Sequence, residues 1–312
     1  MSTQIEDGRP SCVGEAAPLQ ERPVAPAQFV LVMKCPAGRG MSHRLSSLLS
    51  DLDCDVLDAC QFSDPQSQLV FQRILFSAEG KATTEDALRR RIGLLSPSHA
   101  ACWQLFDTRE RTRVLLMVSK VGHCLNDLLF RCASGTLPVE ICGVVSNHRD
   151  LAHLAHSYKL PFHHFPLPSQ APFAVKAAQE QRVLDLVRAY DIDLVVLARY
   201  MQVLSPAMCD ALSGRAINIH HSFLPGFKGS KPYRQAHERG VKLIGATAHF
   251  VTGCLDEGPI VEQDVERIDH AMSPDAMAAI GQDVECVVLA RAVKLFAERR
   301  VLLNGNKTVV FR

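Results

Sequence analysis

Ala216-Ile217-Asn218-Ile219-His220-His221-Ser222-Phe223-Leu224-Pro225 sets polar groups into an apolar run at alternate positions, which reads as a strand running out into a loop. In an extended segment Asn218 and His220 share one face, because side chains repeat every second residue. His221 then faces the other way. The chain continues through Gly226-Phe227-Lys228-Gly229-Ser230-Lys231-Pro232-Tyr233 and comes back at Leu255-Asp256-Glu257-Gly258-Pro259-Ile260. An amide, an imidazole and a carboxylate therefore fall in polar segments bordered by apolar ones, which is how strand-built scaffolds present reactive groups.

Working outward, apolar runs alternate with helical patterns. Val114-Leu115-Leu116-Met117-Val118, residues 139 to 145 and residues 192 to 198 read as strands that are apolar on both faces. Helices are predicted around residues 126 to 132, over 151 to 158 and over 173 to 190, the last with Val175, Ala178, Val183, Leu184 and Leu186 toward a core. Residues 241 to 250 and 260 to 265 supply further strands. Ser273-Pro274-Asp275 is an N-cap with proline at the first helical position, and residues 283 to 299 form a final helix with Val287, Leu289, Ala290, Val293 and Phe296 inward. Asn304-Gly305 between two β-favouring runs signals a closing hairpin that finishes the domain. Strands alternating with helices imply an α/β, Rossmann-like, mostly parallel sheet covered on both sides, with ligands at the carboxyl ends of its strands. Ala198-Arg199-Tyr200-Met201-Gln202-Val203-Leu204 begins at such an end.

Before this unit the order of elements is different. Phe29-Val30-Leu31-Val32-Met33 is a strand, Met41, Leu45, Leu48, Leu49 and Leu52 fall at helical spacing, and two strand-like runs follow around Ser63-Asp64-Pro65-Gln66. A helix from Thr84 to about Leu95 and a strand to Phe106 complete a ferredoxin-like βαββαβ unit over residues 28–107. The polar stretch Asp107-Thr108-Arg109-Glu110-Arg111-Thr112 separates it from a second domain over 113–312. Residues 1–27 carry Pro, Glu, Ala and Ser without a sustained apolar stretch, so a flexible N-terminal extension is expected, with no secretory signal and no membrane span, and the chain is placed in the cytoplasm.

Composition narrows the partners. Lys and Arg number 34 against 33 Asp and Glu, so no net field favours nucleic acid or an anionic membrane. A small molecule is the expected partner. The eleven cysteines make no CxxC pair and mostly sit in apolar runs, as reduced, buried small side chains do. His220, His221 and His249 lack the HExxH spacing of a metal site, and no metal is expected. His163-His164 reads as loop, His148, His153 and His156 as helix surface or site rim, and Lys228 and Lys231 as loop cations able to attract an acidic tail.

The wording of residues 216 to 260, with His220-His221-Ser222-Phe223-Leu224-Pro225 and Ile244-Gly245-Ala246-Thr247-Ala248-His249-Phe250, resembles the folate-dependent formyltransferases and formyl hydrolases, and among them the formyltetrahydrofolate deformylases. The resemblance covers about residues 28 to 312. It implies catalysis by Asn218, His220 and Asp256, a pterin held along Arg199, Met201, Gln202, Val203 and Leu204, and further folate contacts at Gly253, Cys254 and Leu255. The folate is the substrate and no separate cofactor is implied. In relatives that formylate a phosphorylated amine, the first turn of this domain is Gly-rich and receives the phosphate. Here it reads Ser119-Lys120-Val121-Gly122-His123-Cys124-Leu125-Asn126-Asp127, whose single glycine, bulky histidine and nearby Asp127 make a poor anion cradle. Water is then the expected acceptor, giving formate and tetrahydrofolate. The alternatives are formyl transfer to a non-phosphorylated amine and a non-catalytic folate or amino-acid sensor.

The front unit resembles the ACT domain, a small regulatory module, which implies a homo-oligomer with an amino-acid effector, glycine or methionine in the deformylase branch. Its turn there commonly reads Cys-Pro-Asp-Arg-Pro-Gly. Cys35-Pro36-Ala37-Gly38-Arg39-Gly40 lacks that carboxylate and that second proline, so association is expected to persist while the effector response is weak.

Overall fold

The computed structural model describes residues 26–38, 40–78, 83–95, 101–168, 170–226 and 232–312. The first unit is β1 (Ala27–Pro36), α1 (Met41–Asp51), β2 (Cys54–Asp64), β3 (Leu69–Ala78), α2 (Glu85–Leu95) and β4 (Cys102–Asp107), with sheet order β2-β3-β1-β4. All of its pairings are antiparallel. Phe29, Leu31, Met33 and Cys35 alternate inward along β1 and meet Leu45, Leu49, Leu88 and Ile92 of the two helices. This is the ferredoxin-like arrangement that the order of runs implied. The turn lies two residues later than the sequence motif, because Ser63 and Asp64 still belong to β2 and the Asp64 carboxylate accepts from the backbone N–H of Gln66 at 3.0 Å.

The second unit comprises β5 (Thr112–Val118), α3 (His123–Ala133), β6 (Val139–Ser146), α4 (Ala152–Ser157), β7 (Phe162–His164), α5 (Phe173–Ala189), β8 (Leu194–Leu197), α6 (Pro206–Ala211), β9 (Ala216–His220), α7 (Pro232–Glu238), β10 (Leu243–Phe250), β11 (Ile260–Arg267) and α8 (Pro274–Ala297). Its sheet runs β11-β10-β9-β8-β5-β6-β7, parallel from β9 to β7, with β10 and β11 added antiparallel. Val114, Leu116 and Val118 of β5 face α3 and α8, whereas Leu115 and Met117 face α5 and α6, so the unbroken apolar run serves a core on each side. After β7 the chain crosses back to β8 beside β5. That reversal opens a crevice at the carboxyl ends of β5 and β8. Among the described residues, no helix is long and apolar enough to cross a membrane.

Four details depart from the sequence reading. His163 and His164 belong to strand β7 rather than a loop, because their backbones continue the parallel ladder from Val145 and Ser146. Helix α5 buries Gln179, Glu180, Val183 and Val187, while Val175 is exposed, since its inner face carries polar anchors for the crevice. The last two helical signals are one helix, α8, running unbroken from the Ser273 cap and burying Glu285 among its apolar residues. Finally, β12 (Val301–Asn304) and β13 (Lys307–Val310) form a hairpin whose two-residue turn is Gly305-Asn306, with Gly305 at φ 62°. Rather than merely ending the second unit, the hairpin reaches the first. Val309 and Phe311 pack on Phe71, Asn304 donates to Asp64 at 2.7 Å and Lys307 Nζ to Gln66 at 2.7 Å. Arg73 adds a link, pairing with Asp58 at 2.8 Å and donating to the Glu298 carbonyl at 3.0 Å.

Phe71 is fully buried at this junction, so Phe71→Ala should lower the unfolding free energy by about 3–5 kcal/mol, the usual cost of emptying a buried phenyl site. Phe173, which is 80% exposed, serves as the control, and Phe173→Ala should change stability by less than about 0.5 kcal/mol. Equal denaturant midpoints for the two variants would contradict the junction.

Candidate active site

The crevice holds a cavity of about 230 Å³. Every residue that the resemblance implies for catalysis or folate contact lines it: Asn218, His220 and Asp256, the edge formed by Arg199, Met201, Gln202, Val203 and Leu204, and the opposite lip of Gly253, Cys254 and Leu255. His148, His153, His156, His163 and His164 do not line it, and Lys228 and Lys231 lie outside the described residues. A mostly apolar hollow of about 410 Å³ is lined by His221, Phe223, Ala236, Leu243 and Ile244, and a mixed polar and apolar one of about 910 Å³ lies between the two units. Neither contains the amide, imidazole and carboxylate set.

The strand register assembles that set. Asn218 lies opposite His249, and His220 opposite Thr247, in the antiparallel pairing of β9 with β10. His249 Nδ1 is 2.9 Å from the carbonyl of Phe250, which can only accept, so Nδ1 carries the proton and Nε2 is free to accept from the Asn218 amide at 3.2 Å. Burial keeps the His249 imidazole neutral by pushing its pKa down, against the pull of the Phe250 carbonyl and of Asp256. One N–H of Asn218 is thereby fixed by His249. The other can point at a reacting oxygen.

Asp256 arrives from a different direction. Its Oδ1 is 3.2 Å from His220 Nδ1 and 3.8 Å from His249 Nε2. The hydrogen bond from His220 lowers the carboxyl below its ordinary pKa despite burial, so it stands as a carboxylate. Asp256 takes a left-handed backbone at φ 55°, uncommon for a residue with a side chain and worth noting in a cavity wall. Two residues on, Gly258 crosses the end of β10 so closely that a Cβ there would lie 1.7 Å from the Phe250 carbonyl oxygen. Only glycine permits that crossing, and the Phe250 N–H donates to the Pro259 carbonyl at 2.8 Å to hold it.

The facing edge is fixed by buried polar side chains that the sequence reading did not single out. Ser119 Oγ donates to Asn147 at 2.8 Å and accepts the Met201 N–H at 3.0 Å. Gln179 donates to Tyr200 Oη at 2.8 Å, and Glu180 accepts the Ser205 N–H at 2.8 Å as well as the Ser205 hydroxyl. Behind the site, Thr247 Oγ1 donates to the Ser222 carbonyl at 2.9 Å and accepts from Leu224 N–H at 3.0 Å and from Gln263 at 2.9 Å, which pins the loop after His221.

His221 does not turn wholly away as strand alternation implied, because β9 ends at His220. Its ring stands 5.0 Å from that of His220 and lines both the catalytic cavity and the apolar hollow. Burial, with the charge of Arg199 second, holds its pKa down to about 4. His123 is hydrogen-bonded to Glu285 at 2.7 Å, and so fills the turn after β5 with a side chain held from α8. Its neighbours Cys124 and Cys286 complete the one grouping among the described residues whose ligand atoms fall within 4.8 Å of one another. The Cys286 thiol and burial raise the Cys124 pKa, which keeps it a thiol and disfavours it as a ligand.

Residues 112–293 match the family described as Formyl transferase. The chain is 45% identical over 285 residues to the formyltetrahydrofolate deformylase of Corynebacterium sp. (strain P-1), covering 91% of this chain and 98% of that one. The crystal structure of formyltetrahydrofolate deformylase from Burkholderia mallei is 53% identical, covers 92% of this chain and 100% of its own, and superposes with a TM-score of 0.87. A glycinamide ribonucleotide transformylase from Symbiobacterium toebii, at 31% identity and a TM-score of 0.60, covers 98% of its own chain but only 67% of this one. Identity, near-complete mutual coverage and the shared fold together make this chain a member of the formyltetrahydrofolate deformylase family.

Proposed function

We infer that the protein hydrolyses 10-formyltetrahydrofolate to formate and tetrahydrofolate. The observation that carries this reading is the convergence of Asn218, His220 and Asp256 at one cavity in a chain whose relatives over nine-tenths of its length are formyltetrahydrofolate deformylases. The pterin lies along the Arg199 to Leu204 edge, with the formyl carbon on the arylamine nitrogen toward His220. Water adds to that carbon, the new C–O bond forms, and the carbonyl oxygen gains negative charge. The free N–H of Asn218 stabilises that oxyanion, which is worth roughly 10²–10³ in rate for such donors. His220, with Nδ1 on Asp256, takes the proton of the attacking water and returns it to the arylamine nitrogen as the C–N bond breaks, and Asp256 steadies the imidazolium between the two transfers. Formate leaves with the carbonyl oxygen and the oxygen of water. No separate cofactor enters the reaction, and His249 acts by fixing the amide. Water is the acceptor because the turn after β5 spends its polar groups internally, Ser119 on the Met201 edge and His123 on Glu285, instead of forming an anion cradle.

Residues 28–107 form the regulatory and assembly unit of this reading, with residues 113–312 catalytic and the protein acting in the cytoplasm as a homo-oligomer. Among the described residues strand β2 is an outer edge that pairs only with β3, and it carries Val56 and Leu57 at 43% and 47% exposure. A long, open, partly apolar edge is a template for a second copy. An amino-acid effector at this unit acts weakly, because the 35 to 40 turn lacks a carboxylate for its ammonium group.

In an assay of formate release with 10-formyltetrahydrofolate, no amine and a chelator, turnover should be steady and unaffected by the chelator. Asn218→Ala, His220→Ala and Asp256→Asn should each lower kcat about 10²-fold or more without unfolding the protein. Turnover that requires an added amine would replace the hydrolase reading with the transferase one, and near-normal kcat in His220→Ala would remove the mechanism. Sedimentation tests assembly: the wild type should run as an oligomer and Leu57→Lys as a smaller species, whereas a monomeric wild type ends that proposal. Glycine and methionine should change the rate less than about two-fold, and a several-fold response would show that the altered turn still binds an effector.

A further inference from the structure

Glu285 is fully enclosed on α8, where an unpaired carboxylate would cost several kcal/mol, and three separate elements supply its partners. His123 from the start of α3 bonds it through Nε2 at 2.7 Å, Tyr233 of α7 donates its hydroxyl at 2.6 Å, and Arg199, just past β8, places Nε 3.5 Å away. Burial pushes the carboxyl pKa up, yet the His123 and Tyr233 bonds and the Arg199 charge bring it below its ordinary value, so Glu285 is an acceptor only. The fold makes room for this arrangement. Gly281, one turn before Glu285 on α8, leaves the space in which Tyr233 lies, and a Cβ there would fall 2.1 Å from the Tyr233 hydroxyl oxygen. Arg199 accepts a left-handed backbone, φ 66°, to turn inward.

The cluster is nonetheless incomplete. Among the described residues, four buried side-chain polar atoms find no hydrogen-bond partner, and three of them belong to this cluster and its neighbour His221: His123 Nδ1, Arg199 Nε, which meets Glu285 only at ion-pair distance, and His221 Nδ1. Arg199 and His221 also line the catalytic cavity, and the His221 ring stands against His220 on one side and 6.3 Å from Tyr233 on the other. Buried polar atoms without protein partners are the ones that ordered water satisfies, each such water taking two to four bonds. Two imidazole nitrogens and a guanidinium N–H in and beside this cluster offer both the donors and the acceptors that a small water cluster needs.

We propose that Glu285, Tyr233, His123 and Arg199 enclose a hydrated chamber behind His221 that delivers and orients the acceptor water at His220. The inference rests on the reading that water attacks at His220, and it names what makes water, rather than a competing nucleophile, the acceptor. Glu285, Tyr233 and His123 are positioning residues, since they act through Arg199, His221 and bound water rather than on the substrate.

The test is a partition experiment on the full-length protein with hydroxylamine as the competing nucleophile. Water gives formate, hydroxylamine gives formohydroxamate as a C–N bond replaces the C–O bond, and both release tetrahydrofolate. Tyr233→Phe removes one hydroxyl while keeping the ring over Gly281, and Glu285→Gln removes the charge while keeping shape. Both variants should lower kcat for formate about ten-fold with KM within two-fold of wild type, and raise the formohydroxamate-to-formate ratio at least several-fold. Asn218→Ala, which weakens both outcomes alike, should leave that ratio unchanged. An unaltered ratio in Tyr233→Phe overturns the proposal, whether its kcat or melting temperature falls or holds, because a purely structural hydroxyl would slow both outcomes equally. Should Glu285→Gln unfold, Tyr233→Phe decides alone. If wild-type protein gives no formate without an amine, the hydrolase reading itself fails, and that result is distinct from an unaltered ratio.

Discussion

The catalytic geometry depends on one close crossing. Segment 256–259 passes over the end of β10 at a distance that leaves no room for any side chain at Gly258, and this brings the Asp256 carboxylate within reach of both His220 and His249. The same strand end supplies the Phe250 carbonyl that fixes the tautomer of His249, and His249 in turn orients Asn218. Three chemically different groups are therefore registered to one another through the backbone of a single strand end. Backbone register is stiff compared with side-chain rotamers, and preorganised donors act on a developing charge only if they are stiff.

Much of this was legible in the sequence, for identifiable reasons. Strand alternation places Asn218 and His220 on one face, and the unbroken apolar runs of β5 and β8 announce strands covered on both sides. What escaped reading was polar and internal. Helix α5 was assigned an apolar face that includes Val175, yet Gln179 and Glu180 are buried because they hold Tyr200 and Ser205 of the folate edge. Glu285 interrupts the apolar face of α8 for a comparable reason. A hydrophobicity pattern is silent wherever a core position carries a polar group whose partner lies far along the chain. The role of His249 was hidden in the same way, since its partners are a carbonyl and an amide on a neighbouring strand.

The two antiparallel strands added beside β9 also explain how a parallel sheet can offer a site of this kind. In a purely parallel sheet, catalytic groups come from strand ends that all point the same way. Here β10 runs back against β9, so His249 and Thr247 face Asn218 and His220 across a ladder rather than across a crevice. All four of these polar groups are thus set at the fixed spacing of neighbouring strands, and Asp256 alone relies on a loop.

The terminal hairpin carries a consequence for how the molecule is made. Phe71 leaves the ribosome well before its covering residues, Val309 and Phe311, and the Asp64 to Asn304 bond spans 240 positions. At about 5–20 residues per second, that face of the first sheet waits roughly 12–48 s for its lid. During that interval a nascent chain displays an apolar surface next to the open β2 edge. The exposure of that face during synthesis follows from the order of the elements along the chain rather than from the chemistry of the site.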